Sequence, residues 1–254
     1  VRIALHHASE VGVRAGRILL AERDLAMLGL VDRDPHPPEP RIERVVDLAG
    51  YDVAGTDDPT PEQQVEAALA AGVDCVLWID AGDIAERYGR DFSERGITLL
   101  RGCNLGSGIA PALASHEMAR AESPLDTTIA WTEPGTPLRR GEAIPFPDPV
   151  GARWAKARRT DAADRAFVAP VPGEWAGAIA RVTSAAGDDG VVTRIVGVAD
   201  VAPHLEALAL AAGLLAVSAY PPGPQWPAIA AEAYLTRALA AGLTVAAYSM
   251  TAGR

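Results

Sequence analysis

Val73-Asp74-Cys75-Val76-Leu77-Trp78-Ile79-Asp80 is the clearest strand in the chain, an apolar run closed by a carboxylate. A helical pattern follows from Ile84 to Arg95 and stops at Gly96. Ile97-Thr98-Leu99-Leu100 is the next strand. Then Arg101-Gly102-Cys103-Asn104-Leu105-Gly106-Ser107-Gly108 opens a helix that runs through Ala119. Near-continuous apolar strands alternating with helices indicate a parallel sheet covered on both faces, with right-handed crossovers. Working back toward the start, Val1 to Leu5 reads as a strand and Gly12 to Leu28 as a helix with Ile18, Leu19, Leu25 and Leu28 on one side. Leu28 to Val31 reads as a second strand that ends in Asp32-Arg33-Asp34. The prolines at 35, 37, 38 and 40 exclude a central strand there. Tyr51-Asp52-Val53-Ala54 is a weaker strand. Thr60-Pro61-Glu62-Gln63 looks like a helix start with a hydroxyl cap, and Gly72 closes that helix. Ligands of such sheets bind beyond the carboxyl ends of the strands. The ends read here are His6-His7, Asp32-Arg33, Asp80-Ala81-Gly82 and Gly102-Cys103-Asn104.

Composition shifts near Ser123-Pro124. Strands at Thr127 to Trp131, Ala178 to Ser184 and Thr193 to Val198 follow, with a Pro-rich stretch from Glu133 to Val150. Helices at Ala202 to Ala219 and Ala228 to Ala241 follow. The expected fold class is α/β: a Rossmann-like parallel-sheet domain over 1–123, then an α+β substrate and oligomerisation domain over 124–254. The last helix is free to pack back on the first domain.

The 254 residues are 49% hydrophobic and 22% charged, which excludes a disordered or collagen-like chain. A formal charge of -10 argues against nucleic acid and anionic lipid as partners. Two cysteines, Cys75 and Cys103, fit a reducing compartment rather than a disulfide framework. The apolar stretch from Ala207 to Ala231 is broken by Pro221, Pro222, Gly223, Pro224 and Pro227, which leaves a piece shorter than the ~20 residues of a membrane span. The expectation is a soluble, cytoplasmic protein with no metal site.

A dinucleotide fold carries three glycines in its first strand-to-helix turn, where backbone approaches pyrophosphate. Here the turn is His6-His7-Ala8-Ser9-Glu10-Val11-Gly12-Val13-Arg14-Ala15-Gly16. Gly12 and Gly16 are retained, and a histidine replaces the first glycine. Asp32, twenty residues after Gly12, suits a ribose, whereas Arg33 suits a 2′-phosphate, so NAD and NADP both stay open. Glu10 suits a helix N-terminus but would repel a pyrophosphate. The alternative is a turn that merely joins strand to helix in a protein that has lost its nucleotide.

The segment Ile97 to Ala119, with Asn104, Ser107 and Gly108 in its turn, resembles the N-x-S-x-G junction of dihydrodipicolinate reductases. The first ~120 residues resemble, in order and spacing, Rossmann-type reductases related to those enzymes, diaminopentanoate dehydrogenase and saccharopine dehydrogenase. The resemblance implies NAD(P)-dependent hydride transfer on a small amino-acid-derived or imine/carbonyl substrate, in a homo-oligomer, with the junction beside the nicotinamide. The His-His-x-x-Lys motif of dihydrodipicolinate reductase is absent: the second half holds only His204 and Lys156.

On this reading the cofactor contacts are Gly12, Val13 and Gly16 in the first turn, with the pyrophosphate over Val11 to Arg14, Asp32 for the ribose, Arg33 for a 2′-phosphate, and Asp80, Ala81, Gly102 and Asn104 around the nicotinamide. His6, His7 and Asn104 are the candidate catalytic groups, although the histidines could also simply fill the turn and Asn104 could simply form one. Cys103 has no visible base and reads as a small apolar residue. His116-Glu117, Arg139-Arg140 and the cluster Arg153, Lys156, Arg158 and Arg159 read more simply as surface groups. The rival function is a non-catalytic binding or partner subunit.

Overall fold

The structure is a computed structural model describing residues 1–31, 39–132, 143–148, 153–159, 175–186 and 190–253. Asp32, Arg33 and the 139–142 segment lie outside the described residues. The first sheet has seven parallel strands. They are β1 (Arg2–His6), β2 (Met27–Val31), β3 (Ile42–Val45), β4 (Val53–Thr56), β5 (Asp74–Leu77), β6 (Thr98–Leu100) and β12 (Gly223–Gln225). Their spatial order is β12-β6-β5-β4-β1-β2-β3, so the order reverses between β1 and β4. That reversal makes the carboxyl ends of β1 and β4 the switch point of the sheet.

The connecting helices are α1 (Glu10–Ala21), α2 (Glu62–Ala71) and α3 (Gly82–Arg95), with a π turn (Leu105–Ile109) leading into α4 (Ala110–Ala119). Gly72 and Gly96 adopt left-handed backbone and end α2 and α3, as the sequence predicts. Three local expectations are corrected. α1 stops at Ala21 rather than Leu28, because Met27 onward pairs with β1. The Thr60 hydroxyl donates to Asp58 and does not cap α2. β3 and β12 are strands where none was predicted; both are edge strands, where the prolines before β3 and Pro224 within β12 are tolerated.

The second sheet is formed by β7 (Pro124–Thr132), β8 (Ala143–Asp148), β9 (Arg153–Arg159), β10 (Trp175–Ala186), β11 (Gly190–Val201) and β13 (Ala246–Gly253). Its order is β13-β11-β10-β7-β9-β8, with β7 and β9 parallel and the other pairs antiparallel. β8, β9 and β13 are strands that the sequence reading does not predict, β8 lying within its Pro-rich stretch. Between β11 and β13 the chain leaves this sheet. α5 (Ala202–Ala216) packs along α1, β12 extends the first sheet beside β6, and α6 (Ala231–Ala240) packs on α4 and α5. By packing, therefore, α5 and β12 belong with the first sheet, although they lie beyond residue 123. Tyr234 of α6, fully buried, donates from its hydroxyl to the Ala209 carbonyl 2.9 Å away.

The stretch Ala202–Ala219 is apolar enough to cross a membrane by composition, but 61% of it is buried in this core. Its contact with the sheet is unusually close. A Cβ at Gly55 of β4 would lie 2.4 Å from Leu214 Cδ2, and one at Gly213 of α5 would lie 2.5 Å from Cys103 Sγ. Helix and sheet approach to a distance that only glycine permits, and alanines fill the remaining layer. α4 is tied to the second sheet by Glu117, 4% exposed, whose Oε2 lies 2.6 Å from Arg194 Nε of β11. Gly213→Ala is expected to lower stability by about 1–3 kcal/mol through overpacking. Urea unfolding checks this, and an unchanged midpoint would contradict the packing described.

Candidate functional site

The turn after β1 is organised by a residue of β4's loop. Asp57, 1% exposed, accepts hydrogen bonds at Oδ1 from the Ala8 amide (2.5 Å) and at Oδ2 from the Ser9 amide (2.9 Å), the Ser9 hydroxyl (2.5 Å) and the Gly12 amide (2.8 Å). Ser9 is the N-cap of α1, and its oxygen also accepts from the Val11 amide. Gly12 is required by closeness, since a Cβ there would lie 2.5 Å from His7 Cβ and 2.9 Å from Asp57 Cγ. Gly16, one turn on, faces Leu5 and Leu28, where a Cβ would make ordinary contacts at 3.6 Å. Val13, at the outer side of the turn, is 37% exposed.

This cradle of backbone amides at a helix N-terminus is where the sequence reading seats the pyrophosphate. The residues present do not fit that group, because a carboxylate already takes the donors. Sequence reading missed Asp57 because it ended the weak strand at Ala54 and never counted the carboxyl end of β4. The available signal was Asp57-Asp58 directly after Val53-Ala54-Gly55-Thr56.

His6, on the other side of β1's end, faces a second group of residues. Its Nδ1 lies 3.1 Å from Thr56 Oγ1, 3.3 Å from Gln64 Nε2 and 4.0 Å from Asp58 Oδ2. Gln64 Oε1 is buried and has no hydrogen-bond partner among the described residues. His6 and Gln64 edge a cavity of about 560 Å³ lined also by Ala4, Val31, Val45, Ala54 and Ala67. The arrangement gives His6 a polar anchor on one nitrogen while its ring borders an apolar space, a geometry that suits proton donation or acceptance. His7 is separated from this cavity and packs its Cβ under Gly12.

The predicted nicotinamide residues lie together at the ends of β5 and β6, but largely engaged with one another. Asn104 donates from Nδ2 to the Trp78 carbonyl (2.9 Å) and accepts at Oδ1 from the Ser107 amide (2.7 Å). It thus caps the π turn, the turn-forming role. Gly102 has φ of +72°, and a Cβ on it would meet Ser107 Cβ at 2.8 Å. Asp80 pairs with Arg101, whose guanidinium stacks 3.7 Å from the centroid of Trp226. Ala81 is buried and precedes α3. Glu206 of α5 accepts from Trp78 Nε1 (2.8 Å) and the Leu105 amide (3.2 Å), so the last third of the chain braces this turn.

Cys103 is fully buried, and burial pushes its thiol well above the ordinary range, which removes it as a nucleophile. His116 contacts Arg120 at 3.3 Å on the helix exterior. Of the basic cluster at 153–159, only the backbone of β9 is described. Among the described residues no His, Cys, Asp or Glu group could hold a metal ion.

Replacing Asp57 by Ala strands three amides and a hydroxyl at once. The expected loss of stability is about 2–4 kcal/mol in urea unfolding. A loss below about 0.5 kcal/mol, typical of an ordinary surface substitution, would contradict this role for the carboxylate.

No protein-family model matches the chain, and no curated protein is similar to it in sequence. Solved structures do match in fold. Apo saccharopine dehydrogenase (L-Glu forming) from Saccharomyces cerevisiae aligns over 98% of this chain and 99% of its own, at 10% identity and a TM-score of 0.67. A six-substitution variant of meso-DAP dehydrogenase from Clostridium tetani, with DAP, aligns over 89% and 93%, at 10% identity and 0.57. An engineered D-amino acid dehydrogenase bound to NADP+ aligns over 90% and 93%, at 13% identity and 0.54. The chain has the two-part fold of this dehydrogenase group, a parallel Rossmann-like sheet carrying a second, mainly antiparallel sheet.

Proposed function

We propose that this chain is an oxidoreductase of the nicotinamide-dependent class, acting by hydride transfer on a small amino-acid-derived or imine/carbonyl substrate. The observation that carries the reading is the likeness to saccharopine dehydrogenase across 98% of the chain. That span includes the second sheet, which a bare nucleotide-binding fold would not need. Fold does not determine chemistry by itself, so the reading rests on the site as well. The switch-point crevice and the half-buried His6 beside it support a small ligand with a proton-transfer group at hand. A nicotinamide cofactor, NAD or NADP, would supply the hydride. The chain's own part is to position and to exchange a proton, with His6 as the candidate group. Homo-oligomeric assembly and a cytoplasmic location belong to the same proposal.

Asp57 in the cradle supports a second reading, a binding or partner subunit that has given up the nucleotide. Titration with NADH and NADPH by calorimetry separates the two. The first reading expects one of them to bind, to the wild-type chain or to Asp57→Ala. Absence of binding to either protein at millimolar concentration would sink it. His6→Ala is expected to lower turnover by about 10²-fold, the usual contribution of general acid–base catalysis, and to leave nucleotide binding within a factor of about two. Unchanged turnover removes His6 from the chemistry.

A further inference from the structure

We infer that Asp57 closes the phosphate cradle of α1 from within and competes with any dinucleotide for it. The closure itself rests on the hydrogen bonds described; the identity of the excluded ligand rests on the nicotinamide reading. Three observations carry it. The carboxylate takes the amides of Ala8, Ser9 and Gly12 together with the Ser9 hydroxyl. Among the described residues none of its partners is a cation, so its buried charge is held by neutral donors and the positive end of a 12-residue helix. That is how a bound phosphate is held at such a helix. Finally, the close approach that Gly12 permits is made to His7, 2.5 Å from a Cβ at that position, and to Asp57, whose Cγ and Oδ1 would both lie 2.9 Å from it.

Two anions cannot share these donors. A pyrophosphate therefore gains the cradle only in molecules whose Asp57 has swung out, and its apparent affinity falls by the fraction of such molecules. Glu10, in the first turn of α1, adds a second negative charge nearby, but it is balanced by Arg14 through bonds of 2.9 and 2.7 Å. Asp57 is thus the group whose removal opens the seat. It acts as a specificity-determining residue against phosphate-bearing ligands.

The test is calorimetric titration of the full chain with inorganic pyrophosphate, NADH and NADPH, using wild type, Asp57→Ala and Asp57→Asn. Asn keeps the volume and one acceptor, so it serves where Ala does not fold. The expected result is pyrophosphate binding at least about tenfold tighter in the variants than in wild type, as a displaced internal competitor requires. Micromolar pyrophosphate binding by wild type overturns the closure without reference to any variant. Folded variants that bind pyrophosphate no better than wild type overturn it equally. Variants that gain pyrophosphate but bind neither dinucleotide support the closure and remove the nicotinamide reading. Wild type binding NADPH or NADH as tightly as the variants removes the closure and leaves that reading in place.

Discussion

One buried carboxylate joins the two halves of the switch point. Asp57 belongs to the loop after β4, and every donor it engages belongs to the turn after β1. The register of β1 against β4, with His6 opposite Thr56, brings the two loops within reach. An unpaired charge in an interior is prohibitive unless hydrogen bonds and oriented dipoles replace its water. Here three amides, a hydroxyl and the α1 N-terminus do so, and the turn is fixed by the same bonds that solvate the charge. The missing first glycine follows from this. A turn built to wrap an internal carboxylate has no need of the backbone clearance that an external pyrophosphate demands, so a histidine can stand there.

The packing behind the site follows a second constraint, the shortness of the contact between α5 and the sheet. Gly55 and Gly213 bring helix and strands together, and Cys103 and Leu214 fill what those glycines leave. The same helix places Glu206 beneath Trp78 and Leu105, which holds the β5 and β6 ends in register with the rest of the crevice. A chain that leaves for a second sheet and then returns through α5 and β12 makes the two parts interdependent. The Glu117–Arg194 contact adds a charged tie between α4 and that second sheet.

Much of this was legible in the residues. The Val73–Asp80 and Ile97–Leu100 runs are apolar because they are covered on both faces, and periodicity reads such strands well. β4 is as buried as they are, but it is made of Val53, Ala54, Gly55 and Thr56: α5 lies too close to Gly55 for a side chain, and Ala54 lines the cavity beside His6. Small residues carry little strand signal, so the sequence marks the strand only weakly and leaves its carboxyl end, Asp57 with it, unmarked. Prolines, before β3 and within β12, hide these two strands, and an edge position tolerates them. Asn104 could be read as a ligand group or as a turn-former from sequence; its bonds to Trp78 and Ser107 give it the second role, and only tertiary contacts could decide that.

The central claim is that the Asp57 carboxylate, rather than solvent or a ligand, holds the amides of the β1–α1 turn. Hydrogen exchange of the Ala8, Ser9 and Gly12 amides, followed by NMR in the free protein, addresses it most directly. All three are predicted to be protected in wild type and to become fast-exchanging together in Asp57→Ala, while amides of β5 keep their protection. Rapid exchange of these three amides in the wild-type protein, at the rate of an open loop, would contradict the account.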